Sequence, residues 1–142
     1  MKKVALLSIV LFSLTACSQG VPTMTDRSQT PCGNKPNCVS TQDTREEHYL
    51  EPFLLTESAT LDAIEQAALK LPGAKTAVKE GDYLRIDCTS KIMRFVDDLE
   101  LKISDDRLLV RSESRIGYSD FGVNRKRAKQ LRAELYDAGL IK

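Results

Sequence analysis

Asp97 and Asp98 sit side by side in Phe95-Val96-Asp97-Asp98, and a carboxylate pair is common equipment for general acid/base work. His48, the only histidine of the chain, adds a third group able to carry a proton. A hydrolase or transferase built on this chain would draw on these three. Little else supports one: Ser112, Ser114 and Ser119 have no histidine at a telling spacing, and neither a phosphate loop nor a Ser-His-Asp set is present. A second group suits recognition rather than bond breaking. Arg111, Ser112, Ser114, Arg115, Tyr118, Asn124 and Arg125 fall at an expected strand-to-helix junction. Guanidinium forks, hydroxyls and the free N–H groups of a helix start would receive an anionic group such as a phosphate or carboxylate. The same side chains could instead bond to one another and clasp the closing helix to the sheet. In that arrangement Asp97 pairs with an arginine, Asn124 holds the Gly117–Ser119 turn and Asp120 caps the helix.

Cysteine chemistry comes next. The chain has four: Cys17, Cys32, Cys38 and Cys88. Lys2 and Lys3 precede an apolar run from Val4 to Leu14, about half the ~20 residues that a bilayer-spanning helix needs and the length of a signal-peptide core. The run ends in Leu14-Thr15-Ala16-Cys17, which resembles the lipobox of bacterial lipoproteins. The resemblance implies cleavage after Ala16 and a diacylglyceryl thioether with acyl chains, palmitate among them, on Cys17. Ser18 rather than Asp follows, which in such lipoproteins favours the outer membrane, facing the periplasm. Residues 18–31 are polar, lack apolar periodicity and contain Gly20, Pro22 and Pro31, so they read as a tether of about 20 Å r.m.s. reach.

The periplasm is oxidising, so neighbouring thiols tend to close. Cys32 and Cys38 bracket the turn-rich Gly33-Asn34-Lys35-Pro36-Asn37 and are the favoured disulfide; Cys38 with Cys88 is the alternative. Cys88 shares strand parity with Leu84 and Ile86 and reads as a buried free thiol. The spacing suits no four-ligand zinc set, so neither a metal nor a cofactor is expected.

The elements that must position these groups are legible in the periodicity. Thr60 is a plausible N-cap for a helix with Leu61, Ile64, Ala68 and Leu71 on one stripe, stopped by Pro72-Gly73. Three strand stretches follow: 76–88, broken by Glu80-Gly81-Asp82 into a hairpin, then 94–103, then 107–115 after the Ser104-Asp105-Asp106 turn. Asp97 has the parity of Leu99 and Leu101 and so points at the core or its rim. Phe121, Asn124, Ala128, Leu131, Leu135 and Ala138 recur at helical spacing, between a cap at Asp120 and a stop at Gly139. The expected fold is α+β: an antiparallel sheet of about four strands with two helices packed on one face, a two-layer sandwich over residues 32–142.

Charge is balanced overall, with 21 Lys+Arg against 20 Asp+Glu, which argues against a nucleic-acid partner. It is uneven along the chain. Residues 32–106 carry nine Lys/Arg and fifteen Asp/Glu, and residues 107–142 carry nine against four, so the two segments are expected to pair within one fold.

Three blocks, Cys32-x-x-x-Pro36-Asn37-Cys38-Val39-Ser40, Phe95-Val96-Asp97-Asp98 and Arg111-Ser112-x-Ser114-Arg115-x-Gly117-Tyr118-Ser119-Asp120-x-Gly122-Val123-Asn124-Arg125-x-Arg127, resemble the signature of domain of unknown function 1499. His48 and Pro52 resemble its short His…Pro block, and Thr41 stands where members commonly have Ser. The resemblance implies an envelope or membrane-associated setting and no particular activity. The expected role is a membrane-tethered, non-catalytic lipoprotein module binding an anionic ligand or an envelope partner. The alternatives are an envelope hydrolase or transferase using Asp97 and Asp98, and an assembly factor acting through the basic closing helix.

Overall fold

The computed structural model describes residues 25–142. The expected signal segment and Cys17 lie outside the described residues. Eight elements follow in order: β1 (Cys38–Ser40), β2 (Phe53–Leu54), α1 (Leu61–Ala68), β3 (Ala74–Glu80), β4 (Tyr83–Thr89), β5 (Val96–Ser104), β6 (Arg107–Ser114) and α2 (Val123–Asp137). They form one six-stranded antiparallel sheet in the order β1-β6-β5-β4-β3, with β2 pairing the other end of β6. The class is the expected α+β, and the sheet has two more strands than expected. Those two are β1 and β2, three and two residues long, flanked by Pro36-Asn37 and Pro52; strands so short carry no alternation to read.

Alternation governs the four long strands. Leu84, Leu101 and Val110 lie opposite one another across β4, β5 and β6, and Ile86, Leu99 and Ser112 form the next row. All six are fully buried, and the helices pack on this face: Ile64, Ala67 and Ala68 from α1, and Ala128, Leu131 and Leu135 from α2. Thr60 caps α1 as expected, its Oγ1 accepting from the Ala63 N–H at 3.2 Å. Beyond α1 the chain passes so close to β4 that a Cβ on Gly73 would stand 2.0 Å from the Thr89 carbonyl oxygen, and φ there is +69°. Only glycine fits such an approach.

The start of α2 departs from expectation. Phe121 lies outside the helix, at φ 53° and 96% exposed, because Phe121 and Gly122 (φ 81°) both take the left-handed conformation and swing the side chain outward. Gly122 occupies the N-cap position, yet Asp120 still supplies the acceptor, receiving the Gly122 and Asn124 N–H groups at 2.9 Å each.

The sheet face away from the helices is not the solvated face that parity predicts. Residues 26–28, expected to be tether, pack on it: Ser28 is fully buried and the Arg27 N–H donates to Glu100 Oε1 at 2.9 Å. Packing therefore begins about Asp26, ahead of the boundary read at Cys32.

Candidate functional site

The rows across the sheet turn polar toward one end. After the Ile86–Leu99–Ser112 row comes Cys88–Asp97–Ser114, still on the helix-covered face. Asn124, in the first turn of α2 and fully buried, sits over this row. Its Nδ2 donates to Ser114 Oγ (2.9 Å), the Asn37 carbonyl (3.1 Å) and Asp120 Oδ2 (2.7 Å), while its Oδ1 accepts from Ser112 Oγ and Arg127 Nη1, both at 2.6 Å. Arg127 then reaches on with Nη2 to Asp97 Oδ2 at 2.6 Å. Every hydrogen-bonding site of this asparagine is filled from within the fold. A buried amide so satisfied specifies one arrangement of helix on sheet, since any slip would strand several polar groups.

Asp98, one residue along β5, points to the opposite face, as strand geometry requires. The two carboxylates therefore cannot act together on one substrate. Asp98 stands in a row of three acids, Asp87–Asp98–Glu113, beside the row Arg85–Glu100–Arg111. Like charges directly opposite one another destabilise a sheet unless offset. Arg115, the first residue past β6, offsets them, with Nε and Nη2 at 3.1 and 2.7 Å from Asp98 Oδ1 and Nη2 at 2.7 Å from Asp87 Oδ1. Arg27 lies across the row, 2.6 Å from Glu113 Oε2 and 3.6 Å from Asp98 Oδ2. Arg111 pairs with Glu113 at 2.7 Å and Glu100 at 3.4 Å. Burial pushes the Glu113 carboxyl up, but Arg111 and Arg27 outweigh it and hold the group below the ordinary glutamate value. Two buried guanidiniums keep spare nitrogens: Arg85 Nε and Nη1 and Arg111 Nε find no hydrogen-bond partner among the described residues.

The residues expected to receive an anion are thus dispersed and engaged. Arg111 is buried in the charged face, Ser112 beneath Asn124, and Arg115 is spent on Asp87 and Asp98. Arg125 donates to the carbonyls of Glu46, Glu47 and Tyr49, tying α2 to the loop before β2. Arg115 is exposed as well as paired, and Tyr118, at 69% exposure, is the most open of the set. His48 is almost fully buried, and its Nδ1 donates to the Cys38 carbonyl at 2.9 Å, because that oxygen can only accept. Cys38 forms the expected disulfide with Cys32, leaving Cys88 as a buried free thiol that burial pushes up to about 11. No cluster of three or more potential metal ligands occurs among the described residues.

Two features escaped the sequence reading. Arg127, counted with the basic outer face of the closing helix, is the partner of Asp97, and its three-residue offset from Asn124 was the available signal. The other lies at the end of the sheet where the polar row stops. The β4–β5 turn exposes Ile92 (88%), Met93 and Phe95, and the β6–α2 loop exposes Ile116, Tyr118 and Phe121. The two segments meet: Phe95, Ile116, Phe121 and Val123 line a pocket of about 250 Å³ with Asp97 at its edge. Beside it, sharing Ser90 and Val123, is a cleft of about 450 Å³ lined by Lys91, Arg94, Lys126 and Arg127 and by no carboxylate.

The fold and this junction define a class: a two-layer α+β domain whose polar motif locks its closing helix and whose sheet end stays open. The sequence profile of the family described as "Protein of unknown function (DUF1499)" matches residues 29–135, and the chain belongs to that family. Neither a curated protein nor a solved structure matches it.

Proposed function

We propose that the protein is a non-catalytic module of the bacterial cell envelope, held on the outer membrane through acylated Cys17 and using the open end of the sheet as its binding surface. The observation that carries this reading is the placement of exposed apolar side chains. Seven of the eleven exposed large hydrophobics fall within residues 92–95 and 116–123. A contiguous apolar set at one end, unused by the core, is the usual mark of a contact surface. The candidates for anion binding support the same reading in reverse, since Arg111, Ser112, Arg115, Asn124 and Arg125 are each bonded to other groups of the fold. The anionic partner expected from the sequence is instead met by Lys91, Arg94 and Lys126.

The test is capture of partners from the envelope by crosslinking, with the wild type and an Ile92→Ser/Phe121→Ser variant. Capture lost in a variant of unchanged melting temperature is the expected result; capture unchanged overturns the reading. Mass spectrometry of the exported chain tests the anchor: an unmodified Cys17 sulfur removes it.

One observation favours a hydrolase as a second reading. Asp97 borders the 250 Å³ pocket, Arg127 occupies its Oδ2, and no hydrogen bond falls on its Oδ1 among the described residues. Hydrolysis of envelope material that disappears in Asp97→Asn, with the protein still folded, would favour this reading over the first.

A further inference from the structure

We infer that the open end is a lipid-contact surface: the Ile92–Phe95 and Ile116–Phe121 loops enter an anionic bilayer while Lys91, Arg94 and Lys126 meet its phosphate headgroups. This names the partner class of the surface proposed above and rests on that reading. Three observations carry it. First, the apolar groups are loop tips. Phe121, at the rim of the apolar pocket, is 96% exposed and Ile92 is 88% exposed, so both side chains stand out from the surface. Both loops carry residues in the left-handed conformation, Arg94 at φ 57° and Phe121 at φ 53°, which turns consecutive side chains outward. A deformable apolar phase solvates such protrusions without needing a matched shape.

Second, the cleft beside the tips is lined by cations and by no carboxylate. Lys91, Arg94 and Lys126 form no ion pair among the described residues, whereas the two acids of the adjoining pocket are each engaged. Asp97 is bound to Arg127, and Asp120 is bound to the Gly122 and Asn124 N–H groups. The cationic cleft adjoins the apolar pocket through Ser90 and Val123, the side-by-side arrangement that a phosphate headgroup and its acyl chains require. Third, Cys17 precedes Thr25 by eight residues, about 28 Å of fully extended chain. Asp26 is held by Lys102, about 20 Å along β5 from Val96 at the open end, so an acylated Cys17 can reach a bilayer that this surface touches.

The chain has no tryptophan, so one introduced indole reports its own surroundings. The full chain carrying Phe121→Trp is mixed with vesicles of phosphatidylglycerol and phosphatidylcholine in equal parts, and separately with phosphatidylcholine alone. Tyr136→Trp serves as the control, about 20 Å away along α2. The expected result is a blue shift of Phe121→Trp emission, with quenching by brominated acyl chains, on anionic vesicles only. Tyr136→Trp stays unchanged. Adding Lys91→Gln, Arg94→Gln and Lys126→Gln lowers the partitioning of the loop by about 100-fold.

No shift at Phe121→Trp overturns the inference, and so does an equal shift at both tryptophans or one independent of anionic lipid. Envelope crosslinking separates this failure from failure of the functional reading. A protein captured through Phe121 without any lipid response leaves the binding surface standing and removes the bilayer as its partner.

Discussion

Asn124 and Phe121 are three residues apart and live in opposite surroundings, one fully buried with five hydrogen bonds, the other 96% exposed with none from its ring. The stretch from Arg111 to Arg127 alternates between these conditions. Ser112, Ser114, Asn124 and Arg127 close on one another under the helix, Arg111 closes on Glu100 and Glu113 across the opposite face, and Ile116, Tyr118 and Phe121 face outward. One motif therefore holds two kinds of residue: those that fix the helix to the sheet, and those the fold does not use. Polar residue types alone suggest that the chemistry lies in the first kind; burial shows that the first kind is engaged within the fold, and the proposed binding surface is drawn from the second.

Substitutions sharpen this contrast. The largest effect belongs to Asn124→Ala, which strands Ser112, Ser114 and Arg127 and costs about 3–4 kcal/mol. For a domain of this size that lowers the melting temperature by roughly 12–16 °C, measured by circular dichroism. A melting point within a few degrees of wild type would break the comparison. Removing the Cys32–Cys38 bridge by Cys32→Ala/Cys38→Ala comes next, at about 2 kcal/mol for so short a loop. It should loosen β1 without altering binding at the open end.

Much of this architecture was legible. The long strands, both helices, the buried Cys88 and the pairing of acidic and basic segments all follow from alternation and charge. The charged layer was not. Parity sends Arg85, Asp98 and Glu100 to the face away from the helices, but parity is blind to what covers that face, and residues 26–28 do so from outside the expected domain. Phe121 failed for a related reason: its spacing suits the helical stripe, and only the left-handed pair with Gly122 removes it. The Asp97–arginine clasp was anticipated as a possibility, without its partner. Four arginines lay within reach of the motif, and spacing could not choose Arg127 among them.

Titration provides a smaller effect of known sign. Cys88 is raised from 9.0 to about 11, first by burial and then by Asp97 and neighbouring acids, with Arg127 opposing. Above pH 9 the unfolded chain loses this proton while the folded chain keeps it, so stability declines as pH rises from about 9 to about 11. Cys88→Ala should flatten that part of the urea-unfolding profile. At the acid end the sign reverses. Glu113 sits below its ordinary value, so its contribution, present above about pH 4.3, is lost as pH falls through the lower folded value. The smallest stability effect is that of Phe121→Ser, within about 0.5 kcal/mol, although it removes a tip of the proposed contact surface.

The polar motif acts as a clasp, and a double-mutant cycle on Asp97→Asn and Arg127→Gln, read by urea unfolding, tests this most directly. A coupling of about 2 kcal/mol is predicted for a buried pair 2.6 Å apart. Single variants as stable as wild type, with effects that simply add, would contradict the account and free Asp97 for another role.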